Sequence, residues 1–218
     1  MTLTGEAIAR YRALGHVTVE GVFAPAEMDA AIADIERWGE EFLADLPPGE
    51  RVWYIDGGVK ARTVLRKLDD PAFHRPLIRA LASDPRLVGM VERLIGPGVS
   101  VCFSQIFFKA PEGGGPKPVH QDNYYFGPND REGVVTAWIA FDDARVENGC
   151  MYFGEGTNLG PVYEHVAPPG EPYNLQLPEA VADRQPMTRG PIWSGGVLGS
   201  VPVSRTPVTP PSWSSAGQ

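Results

Sequence analysis

His120 and Asp122 stand two residues apart in the run Val119-His-Gln-Asp-Asn-Tyr-Tyr-Phe126. In an extended segment successive side chains point to opposite faces, so positions i and i+2 share one face and Gln121 takes the other. An imidazole nitrogen and a carboxylate oxygen presented together are two of the three ligands of the facial triad that holds non-haem Fe(II) with coordination positions left open. A histidine and an aspartate bonded to turn backbone would leave the same triplet, so the surrounding chain has to decide between the two.

The elements that must position the pair follow from periodicity. Val134 to Asp142 reads as a buried strand carrying Trp138, and a polar turn at Asn148-Gly149 leads into another strand, Cys150 to Phe153. Upstream, Val99 to Lys109 alternates as a central strand with Val101, Phe103, Gln105, Phe107 and Lys109 on one face. Polar groups among aromatics are how small-molecule pockets are lined, which makes Gln105 and Lys109 candidates for contacting cosubstrate or substrate. On an edge strand Lys109 would simply meet solvent. The loop Pro111 to Pro118 has the composition of a lid, and Tyr124, Tyr125 and Phe126 suit an aromatic rim at a pocket mouth.

The N-terminal half is read as helical. Helices are expected over 4 to 14, from Pro25 to about Leu43, over 71 to 82 and over 85 to 95, the last two opened by Asp70-Pro71 and Asp84-Pro85. Short strands are expected at His16 to Glu20, Val52 to Ile55 and Met187 to Trp193, and His165 falls near a strand end. Helices followed by strands imply a mainly β fold with flanking α-helices, a double-stranded β-helix (jelly roll, cupin-like). One domain is expected over 1–200, with a Pro/Ser-rich irregular tail over 201–218.

Composition sets bounds on partners. The 218 residues suffice for a full core. A net charge of −8 argues against a nucleic-acid surface or an anionic membrane and is otherwise a statement about solubility. No basic, apolar leader opens the chain and no apolar run approaches a membrane span, so a cytoplasmic location is expected. Cys102 and Cys150, both within apolar patterns, are expected as buried free thiols.

Taken together, His120/Asp122, the strand Trp138-Ile-Ala-Phe-Asp-Asp143, the turn Asn148-Gly-Cys-Met151 and the small-residue turn Gly154 to Asn158 resemble the phytanoyl-CoA dioxygenase family. The resemblance implies Fe(II) held by His120 and Asp122, with 2-oxoglutarate as cosubstrate and hydroxylation of a small organic substrate. It also implies that Trp138, sixteen residues past the metal carboxylate, packs beside the site, although a plain core role explains a tryptophan there equally well.

The resemblance fails towards the C-terminus. The family's second metal histidine and the arginine that grips 2-oxoglutarate lie in a segment whose match here contains Leu198-Gly199-Ser200, without the histidine. Ser200 matches the family's serine, and Arg205 is the nearest substitute for the arginine. His165 is the one histidine beyond Asp122, so either it supplies the third ligand or the site has two protein ligands. The alternative from another class is a non-catalytic metal- or ligand-binding protein of cupin-like architecture.

Overall fold

Local chemistry at the helix ends explains the N-terminal half of the computed structural model, which describes residues 3–56, 64–109, 118–127, 133–168, 174–200 and 204–205. Helix α1 (Gly5–Leu14) starts where the Thr4 hydroxyl accepts from the Ala7 N–H at 3.1 Å and stops at Gly15, whose φ of +86° only glycine adopts at little cost. Strand β1 (His16–Val19) follows. Helix α2 (Pro25–Asp45) opens with proline in its first turn and with the Glu27 carboxylate accepting from the Ala24 N–H, and it buries Met28, Ala31 and Ile35.

Three expectations change in the next stretch. Val52 to Ile55 is not a strand: the Trp53 N–H bonds the Glu50 carbonyl, closing a helical turn α3 (Arg51–Tyr54) before the short strand β2 (Ile55–Asp56). Strands β3 (Val64–Leu65) and β4 (Lys67–Asp69) come next. The helix expected over 71 to 82 is two, α4 (Pro71–His74) and α5 (Pro76–Ala82), because Pro76 forces the preceding Arg75 into an extended conformation. Asp70 does not cap α4 with its side chain; it sits at φ 51°, and the Ser104 hydroxyl accepts from Ala72 N–H instead. Asp84 does cap α6 (Pro85–Ile95), accepting from the Arg86 N–H at 2.8 Å.

The strand expected over 99 to 109 is confined to β5 (Gln105–Phe107), which among the described residues pairs only with β4, at the edge of a two-stranded sheet. Val101 and Phe107 are exposed, and so is Cys102, while Cys150 is buried; both thiols are free. The remaining elements are β6 (Val119–His120), α7 (Asp122–Phe126), β7 (Thr136–Ile139), β8 (Met151–Gly154), a 3-10 turn at Thr157–Leu159, α8 (Glu179–Ala182), β9 (Met187–Gly190), β10 (Val197–Ser200) and β11 (Ser204–Arg205). The motif residues around Asn148 hold the turn before β8. The Asn148 amide accepts from Arg145 N–H and donates to the Asp143 carbonyl, and the Asp143 carboxylate accepts from Ser194 N–H.

Two antiparallel sheets form the C-terminal half, in the orders β1-β10-β7 and β6-β11-β8-β9. Val17, Val135, Ala137 and Val197 pack outward against Leu87, Met90 and Leu94 of α6. Alternation turns the other face of that sheet inward, where Trp138 packs with Met151 and Phe153 of the second sheet and the His16 ring stacks on Phe153 at 4.6 Å. Among the described residues more are helical than extended, which corrects the mainly β expectation: glycine and proline keep the strands to two to four residues, while the capped helices run longer. No helix among the described residues is long and apolar enough to cross a membrane.

Candidate metal site

His120 ends β6 and Asp122 begins α7, and their side chains converge: His120 Nε2 lies 3.2 Å from Asp122 Oδ1, with both residues buried. The His120 Nδ1 is 3.0 Å from the Pro118 carbonyl, which can only accept, so Nδ1 carries the proton and Nε2 presents its lone pair towards the carboxylate. The other carboxylate oxygen, Oδ2, accepts from the Thr136 hydroxyl at 3.0 Å. Two donors each about 2.1 Å from one divalent cation, at roughly a right angle, stand about 3 Å apart, so the pair fits a cis chelate of one metal ion. Each of the two side chains thus has its own orienting partner, as metal-binding histidines and carboxylates ordinarily do.

Tyr125 closes one side of the site. Its ring meets the His120 ring edge-on at 5.7 Å, and its hydroxyl donates to the Leu175 carbonyl. Burial, with the Asp122 charge adding to it, pushes its phenol well above the usual range, so it stays protonated.

His165 stands on the far side of Gln121. Its Nε2 accepts from the Gln121 N–H at 2.8 Å and its Nδ1 donates to the Tyr163 carbonyl, so both ring nitrogens are engaged with backbone. Among the described residues, no cluster of three His, Cys, Asp or Glu side chains is arranged to hold a metal ion. The strand beside His120 is β11, with Ser204 directly opposite it and Arg205 opposite Val119 and Tyr152. Ser200 lies in the other sheet, in one row with His16 and Thr136. The position nearest His120 across the ladder is therefore Ser204, four residues past the serine that the sequence pattern singles out.

The remaining candidates divide. Trp138 is partly buried on β7 against the Ala140, Met151, Phe153 and Ile192 cluster. Gln105 donates to Asp69 Oδ1 at 2.6 Å, and Asp69 Oδ2 is 2.9 Å from the fully buried ammonium of Lys67. Lys67 and Asp69 have the same i, i+2 spacing as His120 and Asp122, which puts them on one face of an extended segment. The Lys109 Nζ is buried with no hydrogen-bond partner among the described residues, and burial pulls its pKa down to about 8. Thr136 was equally legible, since it alternates with Trp138 on one face of β7.

A buried imidazole and carboxylate thus converge beside two antiparallel sheets, a pair of a kind that can hold a metal ion. Residues 11–198 match the sequence model of the phytanoyl-CoA dioxygenase (PhyH) family, and the chain belongs to that family. The peroxisomal phytanoyl-CoA dioxygenase of Rattus norvegicus is 28% identical over 166 residues, covering 70% of this chain and 49% of that protein. The chain spans about half the length of the curated relatives it matches. Among solved structures, the non-heme alpha ketoglutarate dependent carbocyclase SnoK from nogalamycin biosynthesis superposes with a TM-score of 0.74 at 25% identity, over 98% of this chain and 80% of its own. The epimerase SnoN, solved with Fe3+, alpha ketoglutarate and nogalamycin RO, gives 0.70 at 25% identity over 95% and 77%.

Proposed function

We propose that this chain is a non-haem Fe(II)/2-oxoglutarate-dependent dioxygenase with a double-stranded β-helix core, acting on a small organic molecule bound between the two sheets. The observation that carries the reading is the 3.2 Å approach of His120 Nε2 and Asp122 Oδ1, each held by its own partner. Membership of the phytanoyl-CoA dioxygenase family and the likeness to SnoN and SnoK support it. Iron with 2-oxoglutarate supplies the oxidising power for hydroxylation when both are bound. The chain's own residues hold the metal through His120 and Asp122, fix the carboxylate through Thr136 and line the space with Trp138 and Tyr125. Lys109 offers a buried ammonium for a carboxylate, and Gln105, Ser200 and Arg205 complete the set of cosubstrate candidates.

A second reading rests on a specific observation: His165 is engaged with Gln121, and no three-ligand group is found among the described residues. It makes the protein a non-catalytic, cupin-like binder of a metal or small ligand. Anaerobic addition of Fe(II) and 2-oxoglutarate separates the two. The dioxygenase gives a visible charge-transfer band, releases succinate when oxygen is admitted, and loses both in His120→Ala. Absence of band and succinate at millimolar cosubstrate leaves the binding-protein reading.

A further inference from the structure

Gln121, the residue between the two metal-facing side chains, is held from outside by one strap of chain. Its N–H donates to His165 Nε2 at 2.8 Å, its side-chain amide donates to the Pro161 carbonyl at 3.0 Å, and its side-chain carbonyl accepts from the Tyr163 N–H at 2.7 Å. The strap reaches the flanking positions too. Leu177 N–H bonds the Val119 carbonyl, the His165 ring stacks on Tyr124 at 4.2 Å and 17°, and Val166 exchanges two backbone bonds with Gln176, joining the strap's two halves.

His165 is the hub of this arrangement. Because Nδ1 donates to the Tyr163 carbonyl, Nε2 keeps its lone pair and can accept from the backbone between His120 and Asp122. The turn from β6 into α7 has Gln121 at φ −117° and ψ 119°, so a small rotation about this one residue changes the angle between the histidine and the aspartate. Gln121 is almost entirely buried, and displacing its polar groups would leave them without water to compensate.

We propose that His165 is a positioning residue of the metal site, a backbone acceptor of fixed tautomer that locks Gln121 and thereby sets the bite of His120 and Asp122 for a divalent cation. This rests on the metal-site reading above and assigns the chain's third buried histidine of the region a task other than coordination. Outer partners of metal ligands are commonly worth about 10- to 100-fold in metal affinity. His165→Leu removes the acceptor while keeping bulk against Tyr124, and His165→Gln restores an acceptor near the Nε2 position.

Mn(II) titration of the full chain, followed by electron paramagnetic resonance, tests the assignment, with thermal unfolding of the metal-free variants alongside. The expected result is affinity reduced about 10-fold or more in His165→Leu and within about threefold of wild type in His165→Gln. Equal affinity in wild type and His165→Leu overturns the proposal, as does an affinity loss that His165→Gln shares in full. Should His165→Leu not fold, Gln121→Met, which drops both side-chain arms to the strap, must show the same weakening or the proposal fails. Wild type that binds no Mn(II), with His120→Ala indistinguishable from it, is a failure of the metal-site reading itself.

Discussion

The Thr136 hydroxyl donates to Asp122 Oδ2 at 3.0 Å, so the sheet opposite His120 holds the carboxylate whose other oxygen faces the imidazole. A bond to an ionised carboxylate is stronger than one between neutral groups, and here it also fixes the rotation of the ligand. Thr136→Val keeps the shape and removes the donor. We expect metal affinity to fall about 10-fold and stability to fall by about 1–2 kcal/mol, read by Mn(II) titration and urea unfolding. Unchanged metal affinity would show that Thr136 does not orient Asp122.

Lys109 gives a pH signature. Its buried ammonium has a pKa near 8 against 10.5 for an unburied lysine, with desolvation as the cause and the neighbouring Cys150 thiol opposing it. Below about pH 8 folded and unfolded chains both carry the proton, so the cost of burying the charge is fully present. Between about 8 and 10.5 the folded chain has released it while the unfolded chain still holds it, and stability rises with pH. Lys109→Met removes that rise and stabilises the protein at pH 7 by on the order of 1–2 kcal/mol, a figure reduced for water around the partly exposed side chain. If the ammonium holds a carboxylate of the cosubstrate, 2-oxoglutarate affinity also weakens above pH 8 in wild type and loses that dependence in the variant. Unfolding curves at pH 7, 9 and 10.5 and titrations of the visible band read both effects.

The contrast between His120 and His165 shows what was legible in the residues alone. His120 and Asp122 are close in sequence, and the period of an extended chain is enough to bring them together. The task of His165 depends on a partner 44 residues away, and no local pattern encodes such a distance. The same division runs through the fold. Helices α1, α2 and α6 carry their own caps and apolar spacing and match their expected spans closely. The break at Pro76 is equally local, since a proline constrains the residue before it, although the apolar period runs through it. Strand β10 is not legible locally, because Gly195, Gly196 and Gly199 give its segment the composition of a loop; its pairing with β1 and β7 is a tertiary fact. Gly195 is required there, since at φ +79° an added Cβ would lie 2.3 Å from the Phe23 carbonyl oxygen.

His16 predicts a second pH response, of the same sign but in the acid range. Its ring is buried against Phe153, and desolvation lowers its pKa below the ordinary 6.5, with Glu155 partly countering and Arg10 reinforcing the shift. The folded chain therefore keeps His16 neutral where the unfolded chain begins to take up a proton. Stability contributed by the neutral ring is present above pH 6.5 and is lost as pH falls from there towards the folded pKa. His16→Phe preserves the stack and abolishes this titration, so its melting temperature should drop less than that of wild type between pH 7 and pH 5. Parallel curves for the two proteins would exclude His16 as the source of acid sensitivity.

Ser204 is the position directly opposite His120 across the β6–β11 ladder. Directly opposed residues of an antiparallel pair share one face, with Cβ atoms about 4.5–5.5 Å apart. We propose that an imidazole at position 204, on the strand paired with His120, would complete a facial triad with His120 and Asp122, whereas the family resemblance points to Leu198-Gly199-Ser200. Ser204→His is expected to tighten Mn(II) binding at least 10-fold and to raise succinate release with Fe(II) and 2-oxoglutarate, whereas Ser200→His, in the other sheet, leaves both within about twofold. Improvement in Ser200→His alone would put the missing ligand back on β10 and remove Ser204 from the site.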